Sequence, residues 1–281
     1  MSKPVSIAEK TIQVGKWEWF YREIANDSDR PPVIFLHGIP AHSFIWREMM
    51  TQMGKQGYRA IAPDWIGSGF SAKPEKQDFA YTPEAFLAAL GDFLAALELE
   101  KFYLVVQGFL GSVGLQYALA HSEQIEGLII LNTPISTDAK LPWQMKQWGI
   151  PFVGDMLTQD PLLVDRTLEG GSGFVIAEEN LTKYRKPYLQ TSAVGRALVA
   201  TIKNLELAKA MAEIEAGFAN WQKPTILVWG MQDPWLTSTG AEKLVATCAN
   251  GKIIKLPEAK HYPQEHWSKE IFEKIARFFP R

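Results

Sequence analysis

Tyr103-Leu-Val-Val-Gln-Gly-Phe-Leu-Gly-Ser112, followed directly by Val113-Gly-Leu-Gln-Tyr-Ala-Leu-Ala120, runs from an apolar strand pattern through a sharp turn into a helix of small residues. This is the outline of a nucleophile elbow, the strand–turn–helix device that lifts one side chain into a pocket. A Ser, Cys or Asp ordinarily occupies the tip. Here the tip residue is Gly108. The chain lays out an active site and leaves position 108 without its attacking group.

Strands alternate with helices on both sides of this stretch. Pro32-Val-Ile-Phe-Leu-His37 is a continuous apolar run of the kind buried on both faces of a parallel sheet, and it empties into the turn-rich loop Gly38-Ile-Pro-Ala-His-Ser43. A helical pattern over about 44–56 precedes Arg59-Ala-Ile-Ala-Pro-Asp64. Thr82 then reads as an N-cap, with Pro83 at the first helical position and Glu84 at the positive end of a helix reaching about Leu97. Gly127-Leu-Ile-Ile-Leu-Asn132 is a further buried strand. Ahead of all these, residues 10–25 read as a hairpin turning at Gly15-Lys16.

The alternation stops near Thr133. Short helical patterns follow, broken by Pro142, Pro151, Pro161 and Pro187, with a Gly170-Gly-Ser-Gly173 hinge and a polar helix around 176–186. It resumes with the strand Pro224-Thr-Ile-Leu-Val-Trp-Gly230, a helix around 238–248, the strand Lys252-Ile-Ile-Lys-Leu256 and a last amphipathic helix from about Gln264 to Phe279. This rhythm predicts an α/β fold: a mostly parallel twisted sheet with helices on both faces. The core spans 1–132 and 222–281, and a helical cap is inserted over 133–221.

A chain of 281 residues can bury a sizeable core. Its 29 basic and 31 acidic residues nearly cancel, and the absence of a basic stripe speaks against a nucleic-acid partner. The single cysteine, Cys248, excludes an internal disulfide and a cysteine metal cage. With no dinucleotide fingerprint and no metal-ligand cluster, no cofactor or metal is expected. Met1–Lys10 lacks the apolar block of a signal peptide, and no run approaches the ~20 apolar residues that cross a bilayer. A soluble, cytoplasmic protein is the expectation; the sequence sets no oligomeric state.

Four further motifs follow in order around the elbow: His37-Gly38-Ile39-Pro40, Asp64-Trp-Ile-Gly-Ser-Gly-Phe-Ser-Ala-Lys-Pro74, Trp229-Gly-Met-Gln-Asp-Pro-Trp235 and Ala259-Lys-His-Tyr-Pro-Gln-Glu265. Together they resemble the α/β-hydrolase superfamily over nearly the whole chain. Val105-Val-Gln107 and Gly195-Arg-Ala-Leu198 resemble its capped branch of haloalkane dehalogenases and epoxide hydrolases. The family order of nucleophile, acid and base implies Gly108, Asp233 and His261. Asp233 would orient the imidazole, His261 would act as general base, and the backbone N–H groups of Ile39 and Phe109 would form the oxyanion hole.

The departures from the family pattern matter as much. Glycine at 108 allows no ester intermediate. Leu110 stands where a glycine is usual, so a looser turn is expected. Phe109 and Ile39 occupy the places where, by resemblance, dehalogenases hold halide with a Trp and an Asn; neither side chain has an N–H donor. Tyr184 and Tyr188 stand as the lid tyrosines that epoxide hydrolases use on the ring oxygen, a role left idle without an Asp nucleophile. The apolar cap residues Trp143, Trp148 and Phe152 either pack the cap onto the core, line an apolar pocket, or form an exposed patch.

Each candidate also has a plainer reading. Asp233-Pro234 is a turn dipeptide, and His261 could be an ordinary loop histidine. His37 reads as structural, and His42 as loop filler or pocket lining. Ser112, one helical turn below the tip, is a substitute nucleophile only if it reaches the site. Three functions stay open: a repurposed hydrolase that binds a small apolar ligand or partner without turnover; a non-covalent hydrolase or lyase in which His261 activates water or substrate; and a structural or interaction protein using the cap face.

Overall fold

The computed structural model describes residues 5–280; Met1–Pro4, the start of the stretch read above for a leader, and Arg281 lie outside the described residues. Eight strands form one sheet: β1 (Ala8–Val14), β2 (Trp17–Ile24), β3 (Val33–Leu36), β4 (Ala60–Pro63), β5 (Phe102–Gln107), β6 (Ile125–Leu131), β7 (Thr225–Gly230) and β8 (Gly251–Leu256). Their order is β1-β2-β4-β3-β5-β6-β7-β8. The hairpin β1–β2 joins β4 antiparallel, and every pair from β4 to β8 is parallel. β3, β5 and β7 are buried along their whole length, which is why their sequences read as unbroken apolar runs.

Successive side chains of a strand serve opposite faces. Leu104 and Val106 of β5 join one hydrophobic cluster, whereas Tyr103 and Val105 join another. The first is closed by α2 (Pro83–Ala96), whose Phe86, Leu90, Phe93 and Leu94 form a buried stripe, and by α3 (Gly111–Ala120). Thr82 caps α2 by accepting the Ala85 N–H at 3.3 Å. The second is closed by Met49, Met50 and Met53 of α1 (Arg47–Lys55) and by Ile271, Phe272 and Ile275 near the C-terminus.

Between β6 and β7 run six helices: α4 (Trp143–Trp148), α5 (Val153–Thr158), α6 (Leu162–Ser172), α7 (Glu178–Gln190), α8 (Ala193–Asn204) and α9 (Leu207–Phe218). α4 to α8 pack mainly on one another, whereas α9 returns to pack on α3 beside the sheet. α10 (Ser238–Thr247) links β7 to β8, and α11 (Pro263–His266) and α12 (Ser268–Ile275) complete the chain with a 3₁₀ turn at Ala276–Phe278. Among the described residues no helix is long and apolar enough to cross a membrane.

Three local expectations need correction. Gly170-Gly171-Ser172 is not a hinge but the last turn of α6, and only Gly173, at φ +79°, leaves the helix in the left-handed conformation. The final helix is broken at Trp267, where the Ser268 hydroxyl bonds back to the Gln264 carbonyl and competes with the helical ladder. Leu110 does not loosen the elbow. It takes ordinary helical angles (φ −75°, ψ −15°), and the turn closes through a 2.9 Å bond from Gly111 N–H to Gly108 O.

Candidate active site

The loops that leave the C-terminal ends of β3, β5, β6, β7 and the loop after β8 meet over the sheet edge, where open α/β sheets carry their sites. Gly108 stands at the tip after β5 with φ +75°, a conformation that suits glycine. A Cβ built there would lie 3.0 Å from Gly38 Cα and 3.6 Å from Nε2 of His261. His261, in the loop after β8, is wholly buried, and its Nδ1 donates to Oδ2 of Asp233 at 2.8 Å. The bond places the ring proton on Nδ1, so Nε2 faces Gly108 as an acceptor. Nε2 has no protein partner, and the N–H groups of Ile39 and Phe109 donate to no acceptor among the described residues. Position 108, His261 and Asp233 are thus brought into one line, with Ile39 and Phe109 beside it.

Residues that sequence reasoning passed over hold this line in place. Asn132, at the end of β6, donates to Asp233 Oδ2 at 2.8 Å and accepts the Gly230 N–H at 2.8 Å. Asp233 Oδ1 accepts from the N–H groups of Trp235 and Leu236, so the carboxylate is fixed at both oxygens. Gln107 donates to the carbonyl of His261 at 2.9 Å, and the Tyr262 hydroxyl donates to the carbonyl of Ile39 at 2.9 Å. Gly171 of α6 accepts the His261 N–H at 2.8 Å, and a Cβ there would lie 2.5 Å from the Tyr262 ring. For Gln107 and Asn132 a signal existed: each is a polar side chain ending an apolar strand. Phe109 and Trp235 flank the imidazole, with ring centroids 5.5 and 4.6 Å away.

The sequence model of the α/β-hydrolase fold matches residues 31–266. The chain belongs to the α/β-hydrolase fold family. Its similarities lie with the haloalkane dehalogenase branch. It is 27% identical to haloalkane dehalogenase 2 of Mycobacterium tuberculosis, with 89% of this chain and 88% of that protein aligned. It is 25% identical to a cis-3-alkyl-4-alkyloxetan-2-one decarboxylase of Shewanella oneidensis, over 90% of this chain and 83% of that one. Haloalkane dehalogenase DbeA from Bradyrhizobium elkani shares the fold with a TM-score of 0.86, at 24% identity and covering 97% of each chain.

The buried histidines His37 and His42 lie in the framework of this α/β-hydrolase fold. His37 Nε2 accepts the Trp65 N–H at 3.1 Å, which leaves Nδ1 to donate to the Gly38 carbonyl. His42 accepts the Phe44 N–H at Nδ1 and donates from Nε2 to the Lys183 carbonyl of α7, tying the loop after β3 to the inserted helices. Burial holds both rings neutral, His42 down to about 3. Burial would raise the Asp64 carboxyl, but the Arg22 guanidinium and the Ser43 N–H hold it below the usual range, joined by His42 and His37 only once those rings are protonated. Ser112 donates to the Phe109 carbonyl at 2.8 Å, away from His261. Cys248 is buried, which pushes its thiol up.

The candidate pocket residues of the insertion divide. Trp148 and Tyr184 are buried; Trp143 and Phe152 are 70% and 87% exposed and line no enclosed pocket. Phe152 sits at φ +64° just ahead of α5, which turns its ring outward. The Tyr184 hydroxyl donates to Glu265 at 2.5 Å, and Arg47 grips the same carboxylate through its two terminal guanidinium nitrogens at 2.7 and 3.0 Å. That cluster binds α7 to α1 and α11, and Tyr184 is engaged there. Tyr188 reaches the Pro40 carbonyl at 3.4 Å, at the rim of the loop carrying Ile39. Clefts of about 550 and 860 Å³ open elsewhere, around Tyr58 and Phe272 and around Glu23 and Asn26, without touching Gly108 or His261. Among the described residues no group of three or more His, Cys, Asp or Glu side chains is placed to hold a metal ion.

Proposed function

We propose that this α/β-hydrolase has given up covalent catalysis and keeps its site to bind a small apolar ligand beneath the inserted helices. One observation carries the reading: the residue whose Cβ position lies 3.6 Å from His261 Nε2 is a glycine. No ester with substrate can form there. In a serine hydrolase, loss of the nucleophile lowers kcat by roughly a million-fold. The similarity to haloalkane dehalogenases does not carry their reaction over, since Phe109 and Ile39 offer no side-chain N–H to a leaving halide.

A second reading is favoured by the 2.8 Å bond between His261 and Asp233 together with the unpaired Nε2. An oriented imidazole can deprotonate water or substrate directly, with the Ile39 and Phe109 N–H groups receiving the developing charge. Such help supplies about a hundred- to ten-thousand-fold, enough for activated substrates in hydrolysis or elimination. A third reading, a partner-binding protein, is favoured by the outward-facing Trp143 and Phe152.

The deciding experiment compares wild type, His261→Ala and Gly108→Asp on activated esters, epoxides and haloalkanes. Equal background rates in wild type and His261→Ala, with a covalent adduct trapped by mass spectrometry in Gly108→Asp, are expected. Turnover by the wild type that disappears in His261→Ala would instead establish the general-base enzyme.

A further inference from the structure

We infer that the Gly108 site takes a small monocarboxylate of the size of acetate, in the place an aspartate side chain would fill. This rests on the reading that position 108 supplies no nucleophile, and it replaces the apolar ligand of that reading with a small acid whose only apolar part is a methyl or ethyl group.

Among the described residues three groups around Gly108, all on buried residues, have no partner: Nε2 of His261 and the N–H groups of Ile39 and Phe109. Buried polar groups are ordinarily satisfied, and two donors beside one acceptor define what would satisfy them. A carboxylic acid fits. Its hydroxyl meets Nε2 while its other oxygen accepts from the two amides. If the proton crosses, Nε2–H donates to a carboxylate and no bond between heavy atoms is made or broken.

Negative charge is favoured at this point for two further reasons. Phe109 and Leu110 lead directly into α3, a helix of 10 residues whose N-terminal end faces the site. Asp233 lies on the far side of the imidazole, so a second carboxylate at Nε2 would leave a protonated ring between two anions. The titratable groups facing the ring are Asp233 at Nδ1 and Tyr262 edge-on, with the phenol of Tyr262 held neutral by burial.

Size follows from what glycine lacks. Relative to aspartate it is missing a methylene and a carboxylate, which is acetate. The nearest atoms to a Cβ at 108 are Gly38 Cα at 3.0 Å, His261 Nε2 at 3.6 Å and Gly38 N at 3.7 Å. Among the described residues no carboxylate or hydroxyl lies nearer than these. Phe109 and Trp235 flank the imidazole with aromatic surface, so the ring that would meet the acid has apolar rather than charged neighbours on its faces.

The test is calorimetric titration of the full chain with formate, acetate and propionate, beside ethanol, chloride and hexanoate. Binding of acetate at least about tenfold tighter than ethanol or chloride is expected, with one proton taken up, read from two buffers of different ionisation heat. The apparent Kd should rise about tenfold per pH unit wherever the complex holds one proton more than its parts. Gly108→Asp should lose the binding because its own carboxylate fills the site, and His261→Ala should lose the proton uptake. Ethanol or chloride binding as well as acetate, binding without proton uptake, or no binding by any of the three carboxylates would each overturn the inference. The wild-type comparison decides even if a variant does not fold. His261-dependent turnover would sink the proposed function alone, whereas missing carboxylate binding with no turnover would sink this inference alone.

Discussion

Gly108 and His261 face one another across the site, the tip of the elbow aimed at Nε2, the ring nitrogen of His261 that has no partner among the described residues. The tip also packs against Gly38, whose Cα would be 3.0 Å from a Cβ at 108. A side chain there must be held at φ +75° and pressed onto that backbone. Such strain costs on the order of 1–3 kcal/mol. Gly108→Ala and Gly108→Asp are therefore both expected to unfold at lower denaturant than wild type, by that amount. Variants as stable as wild type would mean that the tip tolerates a side chain freely.

Asn132 anchors Asp233 with its amide nitrogen and the Gly230 N–H with its amide oxygen. Asn132→Leu removes both bonds and leaves a buried N–H without a partner. A group stranded in this way costs about 1–3 kcal/mol. The expected result is a loss of that size in urea unfolding, together with a shift of the His261 ring proton resonance, because the carboxylate at Nδ1 loses one of its holders. An unchanged resonance would show that the Trp235 and Leu236 N–H groups alone suffice.

The sheet was legible because the central strands are buried on both faces and so appear as unbroken apolar runs, as in Val33–Leu36 and Phe102–Gln107. The line from Gly108 to His261 and Asp233 was legible from the order of motifs around the elbow. What the order of residues did not reveal was set by contacts distant along the chain. Gln107 reaches a carbonyl 154 residues away, and Tyr184 meets Glu265 across 81. The outward turn of Trp143 and Phe152 was equally hidden, since apolar residues in or just ahead of short helices give no sign of which side meets the core.

His42 sets a pH dependence whose direction is fixed. Burial holds it neutral in the folded protein down to about pH 3, with Asp64, Arg22, His37 and Tyr184 facing it. Unfolded, it takes up a proton near pH 6.5. Its contribution is fully present above that value and is lost as pH falls from 6.5 toward 3. The slope is about 1.4 kcal/mol per pH unit, and the buried His37, shifted the same way, steepens it. Asp64, whose carboxyl is held below its ordinary value, removes stability in the same direction only at lower pH. Urea unfolding of wild type and His42→Gln between pH 7 and 4 is expected to show the slope reduced by about one proton in the variant. Equal slopes would place the linkage elsewhere.

Neighbouring glycines of α6 should respond in opposite ways. At Gly170 a Cβ would meet nothing within 4 Å, whereas at Gly171 it would lie 2.5 Å from the Tyr262 ring and 2.7 Å from Trp235. Gly170→Ala adds a better helix former at no steric cost and should stabilise by about 0.4–1 kcal/mol. Gly171→Ala forces both aromatic rings to shift, an overpacking that costs about 1–3 kcal/mol. The same residue accepts the His261 N–H, and Tyr262 holds the Ile39 carbonyl, so the displacement should reach the imidazole and the loop of Ile39 together. Thermal unfolding of the two variants, with the His261 proton resonance followed in each, checks the contrast. A destabilised Gly170→Ala, or a Gly171→Ala that leaves both stability and resonance unchanged, would show that α6 is not seated against the His261 loop.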